Sequence, residues 1–112
     1  MRRNVVRVVE KPWGRELWLA VEDEYAGKIL EVRAGCRLSE QFHERKKESM
    51  FVLAGRVRLV VGSREVVLAE GDCVTILPGE VHRLEALSDV RVVEFSTPEL
   101  DDVVRREDDY GR

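Results

Sequence analysis

Gln41-Phe42-His43-Glu44-Arg45-Lys46-Lys47-Glu48 is the stretch on which the reading of this chain turns. Gln41 and His43 stand two apart, so on an extended strand they project from one face. The four charged residues from Glu44 to Lys47 suit a hairpin turn. Glu48 then opens the next strand and returns to the same face. Working outward, short runs rich in Val, Ile and Leu recur, broken by Gly, Pro or clustered charge. They cover residues 5–9, 16–21, 28–33, 38–43, 48–54, 56–61, 65–68, 72–76, 82–87 and 90–95. Lys11-Pro12-Trp13-Gly14 reads as a turn before the second run. No stretch before Thr97 holds a 3.6-residue period. Ten short strands with frequent turns predict an all-β antiparallel sandwich or barrel. After them, Thr97-Pro98-Glu99 predicts a short C-terminal helix, with Thr97 at the N-cap and Pro98 at the first helical position.

Alternation assigns the faces. Val57, Leu59 and Val61 share one side of their strand, and Arg56 and Arg58 take the other. His82 falls with Leu84 and Ala86, opposite Arg83 and Glu85, so it is expected inside the barrel. The run 50–54 is apolar on both faces, which suggests a second sheet or a partner subunit and hence a homodimer.

The chain's 112 residues suit one domain, 1–112. The formal net charge is −3 with both signs interspersed, and no basic stripe marks a nucleic-acid surface. No apolar run is long enough to span a membrane, and Met1-Arg2-Arg3 lacks the apolar stretch of a signal peptide. A cytoplasmic protein is expected, with Cys36 and Cys73 reduced, small and buried.

The chain contains two histidines and one glutamine, and all three fall in one constellation with Glu48. Gln41, His43, Glu48 and His82 offer two imidazoles, a carboxylate and an amide oxygen. That mixed set suits one divalent ion such as Zn, Fe, Mn, Co or Ni. Two His and a carboxylate also leave coordination positions open for water or substrate. Gln41 is the weakest donor and either binds the ion or contacts substrate.

Gly35, Gln41-Phe42-His43, Glu48 and Gly55 together resemble the first motif of the cupin superfamily, with Gln41 in place of the first His. Gly71 and Leu77-Pro78-Gly79-Glu80-Val81-His82 resemble the second. The resemblance implies a double-stranded β-helix, or jelly-roll barrel: a Pro-Trp-Gly element in 1–34, the motifs in 35–86, and a closing strand and tail in 87–112. Glu10-Lys11-Pro12-Trp13-Gly14, Gln41-x-His43 with Glu48, and the tail ending Tyr110-Gly111-Arg112 look more narrowly like the cupin domain of type II mannose-6-phosphate isomerases. Those proteins also use Gln at the first ligand position. They carry Arg where Lys46 stands and Trp where Met50 stands. Many also carry a nucleotidyltransferase, which this length leaves no room for.

The resemblance implies a sugar or sugar-phosphate substrate and aldose–ketose isomerisation assisted by a metal ion. Glu94, on a strand face with Val90 and Val92, is a candidate base, and a strand-edge charge paired to an outward Arg is the alternative. Lys46, Arg105 and Arg112 are candidates for a phosphate, or else solvated surface charges. Trp13 and Tyr110 are candidates for the mouth of the barrel, Tyr110 as a substrate contact, with core packing the alternative for Trp13. The rival readings are a metal-dependent dioxygenase, since two His and a carboxylate also suit non-haem iron, and a non-catalytic sugar-binding cupin.

Overall fold

The chain is described by a computed structural model covering residues 1–111. Among them the strands are β1 (Arg7–Lys11), β2 (Gly14–Val21), β3 (Ala26–Val32), β4 (Glu40–Phe42), β5 (Glu48–Ala54), β6 (Arg56–Val61), β7 (Arg64–Ala69), β8 (Cys73–Ile76), β9 (His82–Ala86), β10 (Val90–Ser96) and β11 (Val104–Glu107). They form a six-stranded sheet, β1-β2-β3-β10-β5-β8, and a five-stranded sheet, β11-β4-β9-β6-β7. All strand pairs are antiparallel. The consecutive strands β5 and β6 lie in different sheets, so the chain crosses between layers as a jelly roll does.

Two glycines sit where neighbouring backbone comes too close for a Cβ. Gly14 closes the β1–β2 hairpin beside Val32 of the neighbouring strand β3. A Cβ there would stand 1.9 Å from the Glu31 carbonyl oxygen, so only glycine fits. Gly55, with φ +87°, turns the chain from β5 into β6, and a Cβ would lie 2.3 Å from the Asp89 carbonyl oxygen. These two approaches explain the Pro-Trp-Gly element and the glycine that ends the first motif.

The inner faces change character along the barrel. On the six-stranded sheet, Val32 pairs with Val90, and one step on Leu30, Val92 and Val52 stand side by side. Then come Lys28, Glu94 and Met50, and finally Ala26, Ser96 and Glu48. On the facing sheet the order is Val57 with Ala86, Leu59 with Leu84, then Val61 with His82. One end is therefore a dry core containing Trp13, Val52, Val57 and Val92. The other end places buried polar groups around a cavity.

Three expectations need correction. No helix follows Thr97 among the described residues. Its hydroxyl accepts the Lys47 N–H at 3.0 Å, so it caps a loop, and the segment passes through turns into strand β11. β1 begins at Arg7, and Val5 and Val6 precede it exposed. Cys73 is exposed rather than buried, and both cysteines are free thiols. The run 50–54 divides its faces: Met50 and Val52 are buried, Phe51 is half-buried and Leu53 exposed. Phe51 continues an outer row of Val93, Ile29, Leu17 and Val8 across four neighbouring strands.

Candidate metal centre

β4 pairs with β9 so that Gln41 sits opposite His82. His43 follows one residue after β4, and Glu48 enters as the first residue of β5. His43, Glu48 and His82 are each 3% exposed, and one ligand atom from each lies within 4.8 Å of the others. Glu48 Oε1 is 3.3 Å from His43 Nε2 and 3.2 Å from His82 Nε2.

The outer nitrogens decide what this cluster can hold. His43 Nδ1–H donates to the Asp102 carbonyl at 2.6 Å, and His82 Nδ1–H to the Glu80 carbonyl at 2.9 Å. With Nδ1 protonated on both neutral rings, each Nε2 presents a lone pair. Two lone pairs and a carboxylate oxygen then converge with no proton among them. Such a set attracts a proton or a cation to its centre, and metal-ligating imidazoles commonly give their other ring N–H to a backbone carbonyl in this way. Without an ion, the His43 proton affinity is raised: burial works against the imidazolium, and the hydrogen bond and charge of Glu48 outweigh it. Burial likewise opposes the Glu48 carboxylate, but His43, His82 and Lys46 hold it well below the usual range. The residues thus fit a divalent ion, with Gln41 lining the same cavity as a neutral oxygen donor.

Lys46 is not the solvated charge its sequence neighbours suggest. It is 4% exposed, with Nζ 3.3 Å from Glu48 Oε2 and 3.2 Å from Glu94 Oε1. Its charge persists because the two carboxylates outweigh the cost of burial. Glu94 faces inward at 8% exposure. Burial, and then the neighbouring Glu48 charge, push its carboxyl up to about 7, against the pull of Lys46 and Lys28.

The cavity has a volume of about 340 Å³, within the range of small-ligand sites. Trp13 and Leu30 form apolar wall, and Arg105 and Lys11 also line it. Arg105 stands opposite Gln41 across the β4–β11 pair. Tyr110 is not brought to the cavity: it packs against the core and bonds towards Cys36. Arg112 lies outside the described residues.

Two groups escaped the sequence reading. Lys28 lines the cavity 3.5 Å from Glu16, over the Trp18 ring at 4.5 Å, and Trp18 Nε1–H donates to Glu16 at 2.8 Å. The signal was available: Lys28 alternates in phase with Ala26, Leu30 and Val32. Asp102 is the other. Its carboxylate accepts the N–H groups of Glu44, Arg45 and Lys46, which hold it down at about 2. Nothing local in the sequence distinguishes it from Asp101.

A jelly roll that gathers two imidazoles and a carboxylate from its inner face has the form of a cupin. The chain belongs to the mannose-6-phosphate isomerase C-terminal family, whose model matches residues 2–108. It is 35% identical over 111 residues to the mannose-1-phosphate guanylyltransferase ManC of Salmonella typhimurium, covering 95% of this chain and 23% of that protein. It is 32% identical over 111 residues to the xanthan biosynthesis protein XanB of Xanthomonas campestris, covering 95% and 24%. The chain therefore spans about a quarter of the length of these curated relatives. Among solved structures, KdgF from Halomonas superposes with TM-score 0.78 at 21% identity, over 88% of this chain and 90% of that one. A variant of Streptomyces PAC13 with uridine superposes with TM-score 0.80 at 16% identity, over 92% and 86%. These superpositions establish the fold.

Proposed function

We propose that this chain is a single cupin domain holding one divalent metal ion on His43, Glu48, His82 and Gln41, and that it interconverts an aldose phosphate and a ketose phosphate. The observation that carries the reading is Glu94: a buried carboxyl with a proton affinity near neutrality, in the same cavity as the His–Glu–His cluster. A divalent ion on those ligands supplies Lewis acidity to the substrate's adjacent oxygens.

Glu94 serves as the base. Its carboxylate takes the proton from the carbon beside the carbonyl, and the electron pair left behind forms the double bond of an enediol. The same carboxyl returns the proton to the neighbouring carbon, while a proton moves between the two oxygens, so nothing is consumed. A base poised near the working pH suits both halves of that exchange. Lys46 keeps Glu94 and Glu48 in place. Because both carboxylates already engage it, the substrate phosphate falls to Arg105 at the cavity wall. The charge balance supports an anionic substrate. Two buried ammonium groups, Lys28 and Lys46, face the carboxylates of Glu16, Glu48 and Glu94, and a divalent ion leaves the enclosure positive. We also infer that two copies pair through the outer apolar row of Phe51, Val93, Ile29 and Leu17.

The test is elemental analysis of the purified, untagged protein beside Gln41→Ala, His43→Ala and His82→Ala, followed by NMR of mannose 6-phosphate incubated with the loaded protein. About one equivalent of ion, lost in both His variants, with ketose phosphate formed by wild type and not by Glu94→Gln, is the expected result. Iron with oxygen uptake would instead assign a dioxygenase. Absence of metal after reconstitution would leave a metal-free binding barrel.

A further inference from the structure

We propose that Asp102 is the positioning residue of the metal centre: it fastens the segment after β10 onto the ligand loop and so fixes the tautomer and aim of His43. The inference rests on the metal-binding reading above.

Loop 43–47 lies between β4 and β5 and belongs to no strand, so its N–H groups are outside the sheet ladders. Asp102 takes them instead. Its carboxylate accepts from Glu44 at 3.1 Å, Arg45 at 2.7 Å and Lys46 at 3.0 Å. Its own carbonyl accepts the His43 Nδ1–H at 2.6 Å. Thr97 completes the seam, its hydroxyl accepting the Lys47 N–H. The segment that makes these bonds also carries Leu100, Asp101 and Val103 on the cavity wall. One residue therefore closes the loop from one side and selects which imidazole nitrogen keeps the proton. Without the carbonyl at Nδ1, the proton is free to move to Nε2, where it blocks the lone pair aimed at Glu48.

The fold provides its own control. His82 takes the same tautomer from Glu80, two residues away in its own loop, and not from Asp102. Further along the tail, Asp109 accepts from Arg37 and Arg83, a separate fastening that does not touch His43.

The experiment is long-range proton–nitrogen NMR of the metal-free protein at alkaline pH, where two histidines give four ring-nitrogen signals, together with metal affinity by competition against a chromophoric chelator. In wild type both rings are expected to carry the proton on Nδ1. In Asp102→Ala, His43 should become a mixture of tautomers while His82 stays unchanged, and metal affinity should fall about 10–100-fold, the usual cost of losing the hydrogen-bond partner behind a metal ligand. Asp102→Asn, which keeps one acceptor oxygen, should fall between, and it stands in if the alanine variant does not fold. Asp109→Asn should change neither readout. An unaltered His43 tautomer in the Asp102 variants overturns the proposal. So does an equal loss of metal affinity in Asp109→Asn, because that would indicate general loosening of the tail. Should wild type bind no metal at all, the metal reading fails, and the nitrogen spectra still decide the role of Asp102.

Discussion

Replacing Lys46 by Met removes one buried ammonium group and keeps most of the volume. In the native protein that group sits 3.2 Å from Glu94 and 3.3 Å from Glu48, at 4% exposure. The variant leaves two buried carboxylates facing one another without their shared cation. Breaking a buried pair in this way costs about 3–5 kcal/mol. Glu94 can escape part of the cost by staying protonated, which favours the lower figure. For a chain of this length the unfolding entropy is about 0.24 kcal/mol/K, so about 3 kcal/mol lowers Tm by about 12 °C.

The sign of the pH dependence follows from Glu94. Its native carboxyl, at about 7, lies above its ordinary value, so the folded state holds the proton more tightly than the unfolded one. The stabilisation from that proton is fully present below about pH 4.5 and is lost as pH rises through about 7. Without Lys46, Glu94 rises further. The gap between wild type and Lys46→Met should therefore widen above neutrality and narrow in acid. Loading with a divalent ion should also narrow it, because the ion neutralises Glu48. The assay is thermal unfolding by circular dichroism, metal-free and metal-loaded, at acid and alkaline pH. A Tm loss under about 4 °C in the metal-free protein at alkaline pH, equivalent to about 1 kcal/mol, would refute the buried-pair argument.

Gly14→Ala is expected to cost several kcal/mol, or to prevent folding, since its Cβ would meet the Glu31 carbonyl at 1.9 Å; a stable, unshifted urea midpoint would contradict the packing described here. Phe51→Asp, in the outer apolar row, is expected to halve the mass measured by light scattering without changing metal content; a wild-type protein that already runs as a monomer would remove the dimer inference.

The sequence by itself determined the fold class, because period-two alternation is a local property and turns announce themselves through Gly, Pro and charge. It also singled out His43, Glu48 and His82 as ligand candidates, since the chain holds only two histidines and both fall in one pattern with Glu48. It missed strand β11, where four exposed residues leave no alternation to read, and it misread Thr97, whose hydroxyl serves a loop fifty residues away. Lys46 looked like surface charge because its chain neighbours are charged; only the packing of β5 against β10 sets it between Glu48 and Glu94. The tautomer of His43, the closing of the ligand loop by Asp102 and the raised proton affinity of Glu94 were likewise decided by tertiary structure. Each arises from groups distant in sequence brought together by the fold, and no local pattern records that proximity.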